Sequence, residues 1–392
     1  MTEPLKNTKD EVLITIPLII VLITVILKSI YILISIYSFN LLIISYSVLN
    51  IMPIIFILSF SYFLSGKRCT IYLVTANICI SILFLIDILY SRAYGHLISL
   101  YMIVAKNVTY ELSASIFSLL KLSDIILFLD IPILIVFLNR KSKKINGSLP
   151  LKRRIKLVII SIVISSTAML VQFTGLENGN LLGNTRFLPL LMSPLGNHFY
   201  DLYKFIYDRN TELTNNDAAQ IFNWMKNNQH DLAPSDEYMT MEGLLKEKNI
   251  IAIQVESLEN FVINDSMYGQ EITPNINKLL KNSLYFNYIY EQVNDGNSSD
   301  AELMFNTSIY PLNTGSAFLR FGDNRYNSMP NVLKEYGYTS MAIHGDYKEF
   351  WNRDIVYKAL GFDDYISEEE FHYKGIEGMG IKDEDLFSET LL

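Results

Sequence analysis

The sequence predicts a polytopic α-helical membrane domain followed by an α/β domain. Half of the 392 residues are hydrophobic, and the long apolar runs crowd into the first 173. Charge divides at the same place. Residues 1–173 hold 16 Lys+Arg against 7 Asp+Glu, and residues 174–392 hold 16 against 33. From residue 248 onward, apolar strand-like runs alternate with helix-start signals, the pattern of a parallel sheet flanked by helices. A basic, greasy half joined to an acidic half reads as a membrane anchor carrying a water-facing domain. That acidity excludes a nucleic-acid partner, which needs a basic footprint. Cys69 and Cys79, the two cysteines, both lie in the first half. The second half therefore has neither a disulfide framework nor a thiolate metal site.

The membrane domain, residues 1–173, contains five candidate spans, at about 12–36, 41–64, 70–90, 125–138 and 157–173. A span needs roughly 20 largely apolar residues. Lys28, toward the distal end of the first, is expected to snorkel to the interface. Residues 91–121 are mixed and read as interfacial or as a surface loop. Arg140, Lys141, Lys143, Lys144, Lys152, Arg153, Arg154 and Lys156 form a basic loop that the positive-inside rule places in the cytoplasm. Everything after Phe173 then lies outside: a multi-pass cell-membrane protein with an extracytoplasmic domain. The first apolar run is too long for a cleaved signal peptide. Asp87 and Asp130 fall inside spans. Asp87, near the outer end of its span, reads as a carboxyl either hydrogen-bonded to a neighbouring helix or wet at the interface, and Asp130, just before Pro132, reads equally as that or as a functional group.

Residues 174–247 form an extracytoplasmic connector, loop-rich at first, with a helix over 214–228. Residues 248–392 form the α/β domain. Strands are expected at 249–255, 283–290 and 339–343. Helices are expected after Thr273-Pro274, over 300–307, after Met329-Pro330 until Gly337, and over 354–360 until Gly361.

The candidate chemistry gathers around Asp295-Gly296-Asn297-Ser298-Ser299-Asp300-Ala301-Glu302. A Gly-containing turn there delivers two hydroxyls into a helix start, where free N–H groups and the dipole favour an anion. An ordinary Ser/Asp cap is the plainer account of these residues taken alone. Glu256, at the expected carboxyl end of a strand, could ligate a metal. Ser298 could be a second ligand and the nucleophile, since a metal lowers a hydroxyl's pKa. His344, Asp346, Trp351 and Arg353 follow another strand, and Arg suits a phosphate oxygen. A structural imidazole and a core aromatic are the plainer readings of His344 and Trp351. Together, beyond the ends of different strands, these residues look like a site for phosphoryl transfer.

The stretches Ile253-Gln254-Val255-Glu256-Ser257, Glu271-Ile272-Thr273-Pro274, Ser299-Asp300-Ala301-Glu302, Gly315-Ser316-Ala317-Phe318 and the run His344-Gly345-Asp346 through Trp351-Asn352-Arg353-Asp354 closely resemble lipoteichoic acid synthases. These are membrane phosphoglycerol transferases of the sulfatase/alkaline phosphatase-like superfamily. The resemblance implies that Glu256 ligates a manganese-type divalent ion (Mn2+, or another such as Mg2+) and that Ser298 stands at the place of the nucleophilic threonine. It implies that His344, Asp346, Trp351 and Arg353 line a phosphoglycerol pocket. The implied reaction moves glycerophosphate from phosphatidylglycerol, through an enzyme adduct, to a growing polyglycerolphosphate acceptor. It further implies an Asp-His pair and another His, both downstream of Leu392. The chain is therefore expected to carry the N-terminal, incomplete part of the sulfatase-like domain and to turn over far below a complete synthase. A phosphoethanolamine transferase, a sulfatase-like hydrolase and a non-catalytic partner of a complete synthase are the alternatives.

Overall fold

The structure is a computed structural model describing residues 6–37, 51–64, 66–104, 119–141, 150–178, 188–210, 214–227, 243, 246–313, 315–372, 375–377 and 380–390. The chain divides into two compact units, one of residues 1–206 with 292–392 and one of residues 207–291.

Among the described residues of the first unit, three helices are long and apolar enough to cross a membrane, within Leu18–Tyr37, Lys67–Tyr94 and Leu151–Gly175. They coincide with the first, third and fifth expected spans. The second expected span is described only from residue 51, as a helix Met52–Ser59 running into a 3-10 turn Phe60–Phe63. Its first ten residues, 41–50, lie outside the described residues, as do 142–149 of the basic loop. The fourth is divided. A 3-10 segment Leu122–Phe128 precedes a helix Asp130–Lys141 of 12 residues, which at about 1.5 Å per residue spans only some 18 Å.

Polar groups inside this half pair with one another. Lys28 does not snorkel as its position predicts. It is 4% exposed, its Nζ lies 2.8 Å from Asp130 Oδ1, and it donates to Asn77 Oδ1 (2.8 Å) and Ser81 Oγ (2.7 Å). Asn77 Nδ2 donates to Asp130 Oδ2 at 2.8 Å. A counter-ion on a neighbouring helix holds the ammonium more closely than the distant interface would. Asp87, fully buried, pairs with His198 Nε2 at 2.9 Å, the hydrogen-bonded one of the two arrangements expected there and not the interfacial one. Arg92 grips Asp124 with both terminal nitrogens, at 2.7 and 2.8 Å.

The expected loop-rich start of the connector opens as the end of the helix Leu151–Asn178 and is next described from residue 188, where it is a helix, Leu188–Asn210, broken at Ser193 (φ 63°) before Pro194. Residues 179–187 and the expected break at 233–236 lie outside the described residues.

Among the described residues, the α/β part of this unit contains one parallel strand pair, Met341–Ile343 with Asp364–Ile366, joined through the helix Arg353–Ala359. Helices Ser298–Thr307, Ala317–Arg320 and Met329–Lys334 accompany it. Gly337 and Gly361, at φ +82° and +87°, end their helices as the sequence predicts. Leu303, Ala317, Phe318, Ala342, Phe350, Trp351, Val356, Tyr357 and Leu360 form the core, together with Met102 from the membrane half.

In the second unit, helices Asn215–Asn227 and Pro274–Leu280 form near their expected places. The strand expected at 249–255 does not. That segment is exposed throughout and has no ladder partner among the described residues, and it leads into a turn at Glu256 and Ser257. The strand expected at 283–290 is likewise unpaired. Apolar patterning records which face a strand would bury; a ladder also needs a neighbour, which no local pattern supplies.

Candidate active site

The helix Ser298–Thr307 starts two residues earlier than its apolar pattern indicates, which places Ser298 on its first turn. The residue before it, Asn297, holds φ 45° and ψ −116°, a conformation costly for a side-chain-bearing residue and one that clusters at functional sites. Three side chains fix this turn. Asp300 Oδ2 accepts the N–H groups of Asn294 and Gly296, both at 3.0 Å. Asp295 Oδ2 accepts Gly315 N–H at 2.7 Å. Ser299 Oγ donates to Gly296 O at 2.7 Å and lies 2.8 Å from Ser316 Oγ. Ser299 and Asp300 are fully buried, whereas Ser298 keeps intermediate exposure. Burial pushes the Asp300 carboxyl up to about 6, against the pull of its two backbone N–H partners.

The 344–353 segment is tied to the same helix. Arg353, 1% exposed, donates through Nη2 to Glu302 Oε1 at 2.5 Å and through Nε to both Glu302 oxygens at 3.2 and 3.3 Å. Tyr357 Oη donates to Glu302 Oε2 at 2.7 Å. His344 Nδ1 accepts the Asp346 N–H at 3.1 Å, so the neutral ring carries its proton on Nε2. Burial, with the nearby Arg353 charge, pushes His344 down to about 3, so it is neutral at pH 7. Asp346 is buried, accepts its neighbour Tyr347 N–H at 2.8 Å, and gives its carbonyl to Glu368 N–H. Trp351 is 4% exposed and sits in the core cluster, at φ 59°, followed by Asn352 at φ 61°.

Ser298, His344, Asp346, Trp351 and Arg353 thus share one unit. Glu256 belongs to the other, where it is exposed. Among the described residues no three His, Cys, Asp or Glu side chains gather as a metal site. Glu256 and a serine hydroxyl alone do not fit a divalent cation that takes six or more oxygens.

Sequence reasoning missed Glu302 as the partner of Arg353, although it sits four residues after Ser298 on the same helix face. It also missed the role of Gly296. A Cβ there would lie 2.1 Å from Asp300 Oδ1, so only glycine fits.

A family profile described as lipoteichoic acid synthase N-terminal domain matches residues 1–217, and one described as sulfatase matches residues 248–391. Lipoteichoic acid synthase 1 of Bacillus subtilis (strain 168) is similar at 30% identity over 349 residues, covering 86% of this chain and 53% of its own length. Lipoteichoic acid synthase of Staphylococcus saprophyticus is similar at 29% identity over 345 residues, covering 85% and 52%. The solved structure of lipoteichoic acid synthase LtaP from Listeria monocytogenes is 32% identical over 38% of this chain and 36% of that one, with a TM-score of 0.37. The chain spans about half the length of the curated relatives it matches. Its place is the cell membrane, multi-pass, with the sulfatase-like domain on the extracytoplasmic side. Sulfatase-superfamily enzymes of this kind generally depend on a divalent metal. The N-terminal match alone takes in more than half of the residues, and the chain belongs to the lipoteichoic acid synthase family.

Proposed function

We propose that this chain serves glycerophosphate transfer from phosphatidylglycerol to a polyglycerolphosphate acceptor at the outer face of the membrane, with Ser298 as nucleophile. The observation that carries the reading is the contrast within one turn. Ser299 and Asp300 are buried and engaged in holding the turn, while Ser298 opens the helix and remains partly accessible. The Ser298 oxygen forms a bond to phosphorus as the bond to the diacylglycerol oxygen breaks. The proton given up by Ser298 is balanced by the one the departing alcohol gains. A glycerol hydroxyl of the acceptor then attacks the same phosphorus and frees Ser298.

The surrounding side chains have distinct parts. The positive end of the helix dipole favours the phosphate charge. His344, neutral, offers Nε2–H to an oxygen of the glycerophosphoryl group. The Arg353 charge, anchored on Glu302, supports the phosphate electrostatically, and Asp346 and Trp351 shape the glycerol pocket. A manganese- or magnesium-type ion with Glu256 and Ser298 among its ligands is what the resemblance implies, and these two alone would not complete its coordination. Five spans, with residues 1–173, 174–247 and 248–392 as membrane domain, connector and sulfatase-like domain, complete the reading.

The test uses phosphatidylglycerol with a labelled diacylglycerol moiety, presented to residues 1–392 alone and to the same chain extended by the remaining segment of a relative. In whichever form releases diacylglycerol, Ser298→Ala abolishes release, Ser298→Thr keeps it, and mass spectrometry finds glycerophosphate on Ser298. An adduct elsewhere, or release surviving Ser298→Ala, refutes the assignment. Free glycerophosphate without chain growth would instead indicate a hydrolase.

A further inference from the structure

The loop that follows the helix Lys67–Tyr94 enters the α/β part of the same unit as a short helix, Leu100–Val104. Asp201 fixes its start: Oδ1 accepts Ser99 Oγ–H at 2.7 Å and Oδ2 accepts Leu100 N–H at 2.6 Å. Met102 is buried in the core with Leu303 and Phe318. Tyr101, 8% exposed, is wedged between two elements. On one side its ring meets the Phe205 ring edge to face, 5.1 Å between centroids. Phe205 belongs to the helix Leu188–Asn210, which is tied to the membrane helices by Tyr200 against Phe173 (5.2 Å) and by His198 on Asp87.

On the other side the Tyr101 ring backs the loop that supports the Ser298 turn. Arg320 lays its guanidinium over the ring, with the central carbon 4.3 Å from the centroid. Gly315 sits directly against it: a Cβ there would lie 3.4 Å from Tyr101 Cβ and Cδ2 and 3.0 Å from Arg320 Cδ. Gly315 also holds φ +68°, so glycine answers both the backbone conformation and the close approach. Its N–H donates to Asp295 Oδ2 at 2.7 Å. The next residue, Ser316, has its Oγ 2.8 Å from Ser299 Oγ. Ser299 gives its single proton to Gly296 O, so Ser316 is the donor of that bond. The loop thus grips the turn twice, once before Gly296 and once after Ser298.

We propose that Tyr101 is a positioning residue for the Ser298 turn, acting through the loop Gly315-Ser316. The inference rests on the reading of Ser298 as nucleophile. A flat aromatic face backs the Gly315 chain where glycine has no side chain of its own to fill the space. The same face holds Arg320, whose N–H bonds back to Ser316 O at 3.1 Å. Without the ring the loop gains room to retreat from the turn and takes both grips with it. His344 and Arg353 take their hold elsewhere, from Asp346 N–H and Glu302, so the aim of the hydroxyl changes while substrate binding does not. Misplacing a nucleophile by about 1 Å costs on the order of a hundredfold in rate.

The experiment uses the full chain in phospholipid nanodiscs and three substitutions. Tyr101→Phe keeps the ring face, Tyr101→Leu keeps an apolar side chain without it, and Ser316→Ala cuts the grip of the loop on Ser299. Two quantities are read: amide hydrogen exchange by peptide, and kcat and KM in whichever form of the chain releases diacylglycerol. Tyr101→Leu should speed exchange about tenfold in residues 293–300 and 313–317, with residues 344–360 and the membrane helices unchanged. It should lower kcat by about tenfold or more with KM unchanged, and Tyr101→Phe should keep both within about twofold of the parent. In the Ser316→Ala background the further loss from Tyr101→Leu should shrink to about threefold or less, as for residues acting along one chain of contacts. A loss with Phe as large as with Leu, or losses that multiply in the double variant, would overturn the proposal. Faster exchange throughout the unit, or unchanged exchange at 293–300, would also overturn it. If no form of the chain releases diacylglycerol, the transfer reading fails, and the exchange pattern still decides whether Tyr101 fixes the turn.

Discussion

Gly296→Ala probes the turn that presents Ser298. The added methyl would lie 2.1 Å from Asp300 Oδ1, 2.4 Å from Cγ and 2.9 Å from Oδ2. Ordinary contacts of a Cβ begin near 3.4 Å, so relief requires a displacement of more than 1 Å. The carboxylate cannot swing away freely, because Oδ2 holds the N–H groups of Asn294 and Gly296 itself. The strain passes into the loop, at about 1–3 kcal/mol for overpacking of a filled site. Thermal unfolding in detergent reads this directly and does not depend on activity. The double-mutant cycle with Asp300→Ala isolates the cause. Removing the carboxylate leaves two buried N–H groups unpaired, at about 1–3 kcal/mol each, but it also removes the clash. Gly296→Ala should therefore cost much less in the Asp300→Ala background than in the parent. An equal cost in both backgrounds, or no cost in the parent, would show that the close approach does not govern this glycine.

Four further outcomes follow from the same geometry. Asp300 binds its proton more tightly folded, near 6, than unfolded, near 3.9, so its contribution to stability is full below about 4 and is lost as pH rises through 6; the difference between parent and Asp300→Asn melting temperatures should follow that course. His344, neutral when folded with a value of about 3, has the opposite sign: its contribution is present above about 6.5 and is lost as pH falls toward 3, which a His344→Gln comparison should show. Glu302→Ala should cost about 3–5 kcal/mol by stranding the buried Arg353 charge, and Glu302→Leu with Arg353→Met should recover much of it in urea unfolding. A reporter fused after Thr185 should be active only if it works outside the membrane, and cytoplasmic activity there would refute the orientation.

The membrane helices were legible because about 20 apolar residues need no tertiary context to be recognised. The interruption of the fourth expected span at Leu129 was not, since Ile125 through Leu138 is apolar but for Asp130. The helix at Ser298 and the cluster of residues 344–353 were legible from residue type and position. Their coupling through Glu302 was not, because a charged residue on a helix looks solvated until its partner is known. The strand ending at Glu256 was expected from Ile250, Ile251, Ile253 and Val255, and those four side chains are exposed instead. Asn297, Trp351 and Asn352, at positive φ, carry no glycine to announce their turns.

The pairing of Lys28 with Asp130 has a consequence for biogenesis. The two residues lie 102 positions apart, so the first helix leaves the ribosome long before its counter-ion is made. An unpaired lysine at a helix centre costs roughly 2.5–3.5 kcal/mol on insertion scales. Asn77 and Ser81, on the third apolar helix, are synthesised in between and already supply two acceptors for the ammonium. Lateral release into lipid should therefore proceed in stages, with the first helix retained beside the translocon until the Lys67–Tyr94 helix arrives and secured when Asp130 follows. Arrest of translation between residues 40 and 70 would leave the first helix extractable by alkali, and a Lys28→Leu chain arrested at the same point would not be.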